Sequence, residues 1–160
     1  VCDPVRTHAE TAPDSVALRS ERGEWTYRQL HRLATRYGGA LVAAGLRPGD
    51  RVLLAAPSVP EFVVAYLGIQ AAGCVVVPVN TMSTRAEVDY FLTDADCALA
   101  IAWHELGPAV TEAADHTGTP FWSLPAGAQV AAEPVECADR DRTDTAAILD
   151  TSRTTGRPQG

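Results

Sequence analysis

Apolar positions along this chain follow two rhythms. After Thr26, residues Leu30, Leu33, Tyr37, Leu41 and Ala44 recur at helical spacing and predict one helix with a buried face. Elsewhere the apolar residues form short unbroken runs suited to buried parallel strands: "RVLLAA" (51–56), "CVVVPV" (74–79) and "ALAIAW" (98–103). "TPFWSL" (119–124) and "TAAIL" (145–149) are candidates to continue the series. Helix starts are marked by three S/T-x-x-E/Q boxes, Thr26 with Gln29, Ser58 with Glu61 and Thr84 with Glu87. In such a box each side chain satisfies an orphan backbone N–H of the other residue. Gly45 supplies a stop for the first helix, and "RPGD" (47–50) reads as a turn. The helix after Ser58 is apolar nearly all round, which implies burial on more than one side. Its Pro60 falls in the first turn, where a missing N–H does no harm. The third helix puts Val88, Phe91 and Leu92 on one face. Strands alternating with helices through short connections give right-handed βαβ units. The fold class is therefore α/β, a parallel sheet with helices on both faces. No internal repeat is visible, and 125–142, rich in Ala, Pro, Gly and charge, reads as a surface connection.

Composition narrows this picture. The 160 residues suffice for one domain with a core of its own. A net charge of −7 argues against nucleic acid or an acidic membrane surface as partner, since both require clustered cations. Every side-chain cation other than histidine is arginine; with no lysine in the chain, lysine-dependent chemistry is excluded from it. The apolar stretch 62–79 is interrupted by Tyr66, Gly68, Gln70, Gly73 and Pro78, and so predicts a buried helix and strand rather than a membrane span. No basic segment followed by an apolar run opens the chain, so a secretory signal is not expected. The four cysteines form no C-x-x-C pair and read as free thiols of a cytoplasmic protein. The four histidines lack metal-ligand spacing, and Trp25 and Trp103 are read as packing residues.

The chemistry concentrates in the last thirteen residues, "ILDTSRTTGRPQG" (148–160). Hydroxyls of Thr151, Ser152, Thr154 and Thr155, with the intervening backbone N–H groups, are suited to wrap phosphate oxygens. A strand leading into such a loop places it at the carboxyl edge of a parallel sheet, where α/β proteins bind ligands. The loop lacks both the first glycine and the Lys-Ser/Thr pair of the G-x-x-x-x-G-K-[ST] motif. On its chemistry alone, an ordinary Ser/Thr-rich surface turn remains the alternative.

The segment resembles the phosphate-loop signature Y-T-S-G-T-T-G-x-P-K-G of the AMP-forming adenylating enzymes, which include acyl- and aryl-CoA synthetases, luciferases and peptide-synthetase adenylation domains. Thr151, Ser152, Thr154, Thr155, Gly156, Pro158 and Gly160 fall on its positions. "WTYRQL" (25–30), "GLRPGDRVLL" (45–54), "PSVPEFVVAYLGIQAAGCVVVPVN" (57–80) and "TDTAAIL" (143–149) resemble successive blocks of that family in the expected order. The resemblance runs from about Thr7 to Gly160 and implies the N-terminal part of an AMP-binding large domain, truncated at the phosphate loop and without the C-terminal domain. It implies an acid–thiol ligase, most like the fatty-acyl-CoA synthetases, that uses ATP, Mg2+ and coenzyme A to convert a carboxylic acid to an acyl-adenylate and then a thioester. By resemblance Thr151, Ser152, Thr154, Thr155 and Gly156 bind the ATP phosphates. No catalytic residue and no metal ligand is expected within the chain, because the nucleotide, acyl and catalytic-lysine positions of the family follow this loop.

Three residues depart from the signature. Arg153 replaces a glycine; if that position needs a left-handed backbone, its Cβ costs about 1–2 kcal/mol. Gln159 replaces the lysine and removes a cation. Asp150 replaces an aromatic; a carboxylate about 6 Å from a phosphate, at an effective dielectric of about 20, costs roughly 3 kcal/mol. Together they leave the loop one unit more negative than the pattern, unless Arg153 or Arg157 serves as the replacement cation. The competing expectation is a non-catalytic remnant, a diverged α/β module with a degenerate loop.

Overall fold

The computed structural model describes residues 3–127, 132–141 and 143–149. Its elements run α1 (Asp3–Thr11), β1 (Val16–Ser20), β2 (Gly23–Thr26), α2 (Tyr27–Ala43), β3 (Arg51–Ala55), α3 (Pro60–Ala71), β4 (Val75–Pro78), α4 (Arg85–Asp94), β5 (Cys97–Trp103), α5 (Ala109–Thr117) and β6 (Phe121–Leu124). β1 and β2 form an antiparallel hairpin. The other four strands form a wholly parallel sheet in the order β4-β3-β5-β6.

Alternation along the central strands assigns side chains to two cores. Val52 and Leu54 of β3, with Leu99, Ile101 and Trp103 of β5, pack with residues of α2 and α3. Leu53 and Ala55, with Ala100 and Ala102, pack with residues of α4 and α5 on the opposite face. The sheet is therefore covered on both sides, as the strand-helix alternation predicts. α2 and α3 meet closely: a Cβ on Gly68 would lie 2.7 Å from Tyr37 Cβ, so only glycine fits there.

The sequence boxes divide two to one. Thr26 with Gln29 and Thr84 with Glu87 form complete capping boxes at α2 and α4. Ser58 with Glu61 does not: α3 begins after Val59 without a side-chain cap, and Glu61 turns into the interior. α3 has no exposed residue, in line with its all-round apolar pattern. α2 stops as expected, with the Leu46 amide donating to Leu41 O at 3.1 Å beyond Gly45. Ala44, placed on its buried face by spacing, is exposed because the helix ends at Ala43 and the chain turns away.

The segment 145–149 is reduced from a strand to one parallel bridge, Val76 with Ala147. Val76 donates to Ala146 O at 3.1 Å, and the Ile148 amide donates to Val76 O at 2.9 Å. This bridge lies on the free side of β4. The connection before it runs over the surface but is partly tucked in: the Val135 amide donates to Thr35 O at 3.1 Å and Ala138 to Ala71 O at 2.9 Å. A Cβ on Gly39 of α2 would stand 1.9 Å from Glu133 O, so glycine there admits the passing backbone.

Candidate functional site

All four parallel strands end at one edge, with Ala55, Pro78, Trp103 and Leu124 as their last residues. Since Ala147 pairs parallel to Val76, the chain leaves through exposed Leu149 at that same carboxyl edge, beside β4. The expected phosphate-binding residues Thr151, Ser152, Thr154, Thr155 and Gly156, and the departures Asp150, Arg153 and Gln159, lie outside the described residues. The structure thus fixes the root of the loop and the edge from which it starts.

The strand order reverses at β3, whose chain runs to β4 on one side while β5 lies on the other. Loops leaving β3 and β5 lead to helices on opposite faces, which opens the crevice where such sheets usually take ligands. Here a charged cluster stands beside it. Glu61, in the first turn of α3, is buried; its Oε2 receives Nη2 of Arg22 from the hairpin turn at 2.5 Å. Its Oε1 receives the Gly127 amide, beyond β6, at 2.6 Å. Burial opposes the carboxylate's charge, but the Arg22 bond, the Gly127 and Glu61 amides and the Arg22 charge outweigh it, holding the carboxyl below its ordinary value. The Arg22 guanidinium lies 6.0 Å from the Trp103 ring centroid, and Trp103 Nε1 donates to Glu105 Oε2 at 3.3 Å. Trp103 is a packing residue, as read from sequence, and additionally carries this cation. Sequence reasoning missed the cluster because Glu61 satisfied a capping pattern. The available signal was a carboxylate inside a run apolar on all sides, which requires a buried partner.

A cleft of about 320 Å3 opens at the carboxyl edge between the β4–α4 and β5–α5 connections, with Asn80, Met82, Arg85, Leu106 and Pro108 among its walls. Met82 is 85% exposed at its rim. This cleft joins apolar surface to a guanidinium and suits a ligand of mixed character. Among the described residues, no group of His, Cys, Asp or Glu is arranged to hold a metal ion. The described cysteines Cys74, Cys97 and Cys137 form no disulfide with one another. Burial, and Asp50 nearby, push the Cys74 thiol up to about 11. His31 Nε2 is buried without a hydrogen-bond partner. Burial lowers its pKa, partly offset by Glu10. No described helix is long and apolar enough to cross a membrane.

A family model described as AMP-binding enzyme matches residues 5–160. The fatty acid–[acyl-carrier-protein] ligase ScoC of Streptomyces coeruleorubidus is 36% identical over 160 residues, an alignment covering 96% of this chain and 30% of ScoC. A benzoate CoA ligase from Burkholderia xenovorans LB400 superposes with a TM-score of 0.85 at 29% identity, over 93% of this chain and 32% of that enzyme. ATP-bound MatB from Rhodopseudomonas palustris gives a TM-score of 0.82 at 31% identity, over 98% of this chain and 34% of MatB. The chain thus spans about a third of the length of these relatives.

Proposed function

The chain belongs to the family of AMP-binding enzymes, and from that premise we propose that it forms part of an ATP-dependent acid–thiol ligase. A carboxylate, in this reading a fatty acid, attacks the α-phosphate of ATP to give an acyl-adenylate and pyrophosphate. The thiol of coenzyme A then displaces AMP to give the thioester. The observation that carries the reading is the parallel bridge of Ala147 to Val76, because it roots the loop at the ligand-binding edge of the sheet. Thr151, Ser152, Thr154, Thr155 and Gly156 are assigned to hold the leaving phosphates, work that consists of positioning and charge stabilisation. The described residues offer no fitting site for Mg2+, so the ion is assigned to the nucleotide's own phosphates. The choice of a fatty acid draws support from the name of ScoC, while the benzoate ligase marks the aryl acids as its nearest competitor. A cytoplasmic setting fits Cys74, Cys97 and Cys137, which form no disulfide with one another.

The second reading, a non-catalytic module, is favoured by one specific observation: Asp150, Arg153 and Gln159 all depart from the loop signature. Calorimetry with ATP separates the two, using this chain beside a triple variant carrying Asp150→Tyr, Arg153→Gly and Gln159→Lys. Binding by the native chain makes Arg153 or Arg157 a working cation and supports the ligase. Binding by the triple variant alone supports the degenerate module. If neither binds, the loop does not hold ATP within this segment, and the proposed role of its hydroxyls is withdrawn.

A further inference from the structure

The solvent face of α2 carries charge that the rest of the fold leaves unanswered. This helix holds three arginines, Arg28, Arg32 and Arg36, and no acidic residue, in a chain whose net charge is −7. All three are exposed. Spaced four residues apart, they rise along one face at intervals of about 6 Å. Arg28 has a loose partner, its Nη2 3.3 Å from Asp14 Oδ1, with both side chains largely in solvent. Arg32 and Arg36 form no ion pair with any described residue. The placement works against the helix itself. Like charges at i, i+4 repel, and Arg28 stands in the first turn, at the positive end of the dipole. A local rule broken with no compensation inside the fold is expected at a surface that serves a partner.

The same face supplies a second, independent feature. Past Arg36 it turns small and apolar, through half-buried Ala40 to exposed Val42 and Ala43. Val42 is 45% exposed, one of four large apolar side chains exposed among the described residues. Arginine next to an accessible apolar side chain is the composition of an interface. Charge sets the class of occupant as acidic, and width selects among acidic ones. The basic strip is one helix ridge wide. Asp14 borders it at Arg28, and the connection bearing exposed Glu133 and Glu136 crosses α2 at Thr35 and Gly39. A membrane surface or a nucleic acid would have to lie against these carboxylates as well, whereas a single acidic helix need not. Its carboxylates at i, i+4 and i+8 repeat at the interval of the arginines and meet them one for one.

We propose that the solvent face of α2 docks an amphipathic acidic helix of a partner protein, one that presents carboxylates at i, i+4 and i+8 to Arg28, Arg32 and Arg36 and an apolar side chain to Val42. Docking there is independent of ATP, and the test contains none.

The test is titration of the 15N-labelled chain with an alanine-rich helical peptide carrying glutamate at i, i+4 and i+8 and a leucine near one end. Its control is an isomer of the same composition whose glutamates are spread around the helix. The first peptide is expected to produce saturable shifts of the α2 backbone amides and of the Arg32 and Arg36 side chains at millimolar affinity or better. The isomer is expected to bind about ten-fold more weakly or worse. In about 1 M salt, where the screening length is about 3 Å, the affinity should fall on the order of ten-fold. A double variant, Arg32→Gln with Arg36→Gln, is expected to weaken binding by a similar factor while melting no earlier than the native chain, because it relieves the repulsion along α2. Val42→Ser, at an exposed position, is expected to weaken binding several-fold with the fold unchanged. Absence of saturable shifts, equal binding of the isomer, or undiminished binding by either variant would each overturn the proposal. Tighter binding of phosphatidylserine vesicles or heparin than of the peptide would do the same, by making the stripe a general polyanion surface. So would shifts of the same amides with protein concentration alone, which would put a second copy of the chain there.

Discussion

Glu61 carries the sharpest disagreement between pattern and structure, and it has a physical cause. Ser58 is exposed, and a box formed there would gain little over water. Arg22 and the Gly127 amide instead offer charge-assisted bonds in a buried setting, where they are stronger. Replacing Glu61 by Gln keeps an acceptor for Gly127 but removes the charge facing Arg22. Because Arg22 is partly solvated, the expected loss is about 1.5–3 kcal/mol, read from urea midpoints near neutral pH. The pH dependence has a definite sign. The folded-state carboxyl sits below its ordinary value of 4.5, so its contribution is full above that value and fades as pH falls through the folded value. The native chain should lose stability on acidification, and its advantage over the Gln variant should shrink as pH falls below 4.5 and close once the lowered folded value is passed. Cys74 offers a second residue-scale test. With its thiol pushed up to about 11 and its sulfur donating to Arg47 O at 3.4 Å, only about one molecule in a thousand carries the thiolate near pH 8. Ellman's reagent is expected to modify Cys74 only after denaturant unfolds the chain; rapid native modification would mean that β4 opens locally.

Elements were legible where their signal is local. The Thr84–Glu87 box closes around its own turn, so sequence spacing suffices to find it. The Ser58–Glu61 pattern is identical on paper and empty in space, because partners far along the chain claim Glu61. Thr84→Ala is therefore expected to cost about 1 kcal/mol, while Ser58→Ala changes stability by no more than about 0.5 kcal/mol. Equal losses would restore the third box. Helix α1, the hairpin β1–β2 and α5 escaped the pattern for a related reason. β1 and β2 are mostly exposed or half-buried, and α5 buries only Val110, Ala113 and Ala114, of which two are alanines. Packing between elements is harder still to read. Helix propensity alone favours Gly39→Ala by about 1 kcal/mol. A Cβ 1.9 Å from Glu133 O must instead push the connection off α2 and break the Val135 bond to Thr35 O, reversing the sign to a loss of about 1–3 kcal/mol. Thermal unfolding decides between the two signs.

For the whole molecule, the doubly covered parallel sheet follows from runs such as 52–55 and 99–103, whose residues are apolar at odd and even positions alike and so must be buried on both faces. The strand 145–149 reads similarly in sequence but pairs on one side only, through a single bridge outside β4. Sequence cannot separate a central strand from such an edge, because the difference lies in how many neighbours supply backbone partners. That difference has a consequence for the loop. β3 is paired on both sides, and Leu53 and Leu54 are fully buried, so their amides are expected to exchange hydrogen only through global unfolding. The Ile148 amide rests on one bond to Val76 O beside exposed Leu149, and is expected to exchange through local opening at a much lower free energy. Native-state exchange across increasing denaturant measures both. Equal opening energies would show the bridge to be an integral sheet strand and the loop to be rooted rigidly. The expected separation means instead that the root is held loosely, so ATP held by the loop would favour the bridged form and selectively slow exchange at Ile148. That slowing, sought in the native chain and in the triple variant, reports nucleotide binding from a position outside the loop itself.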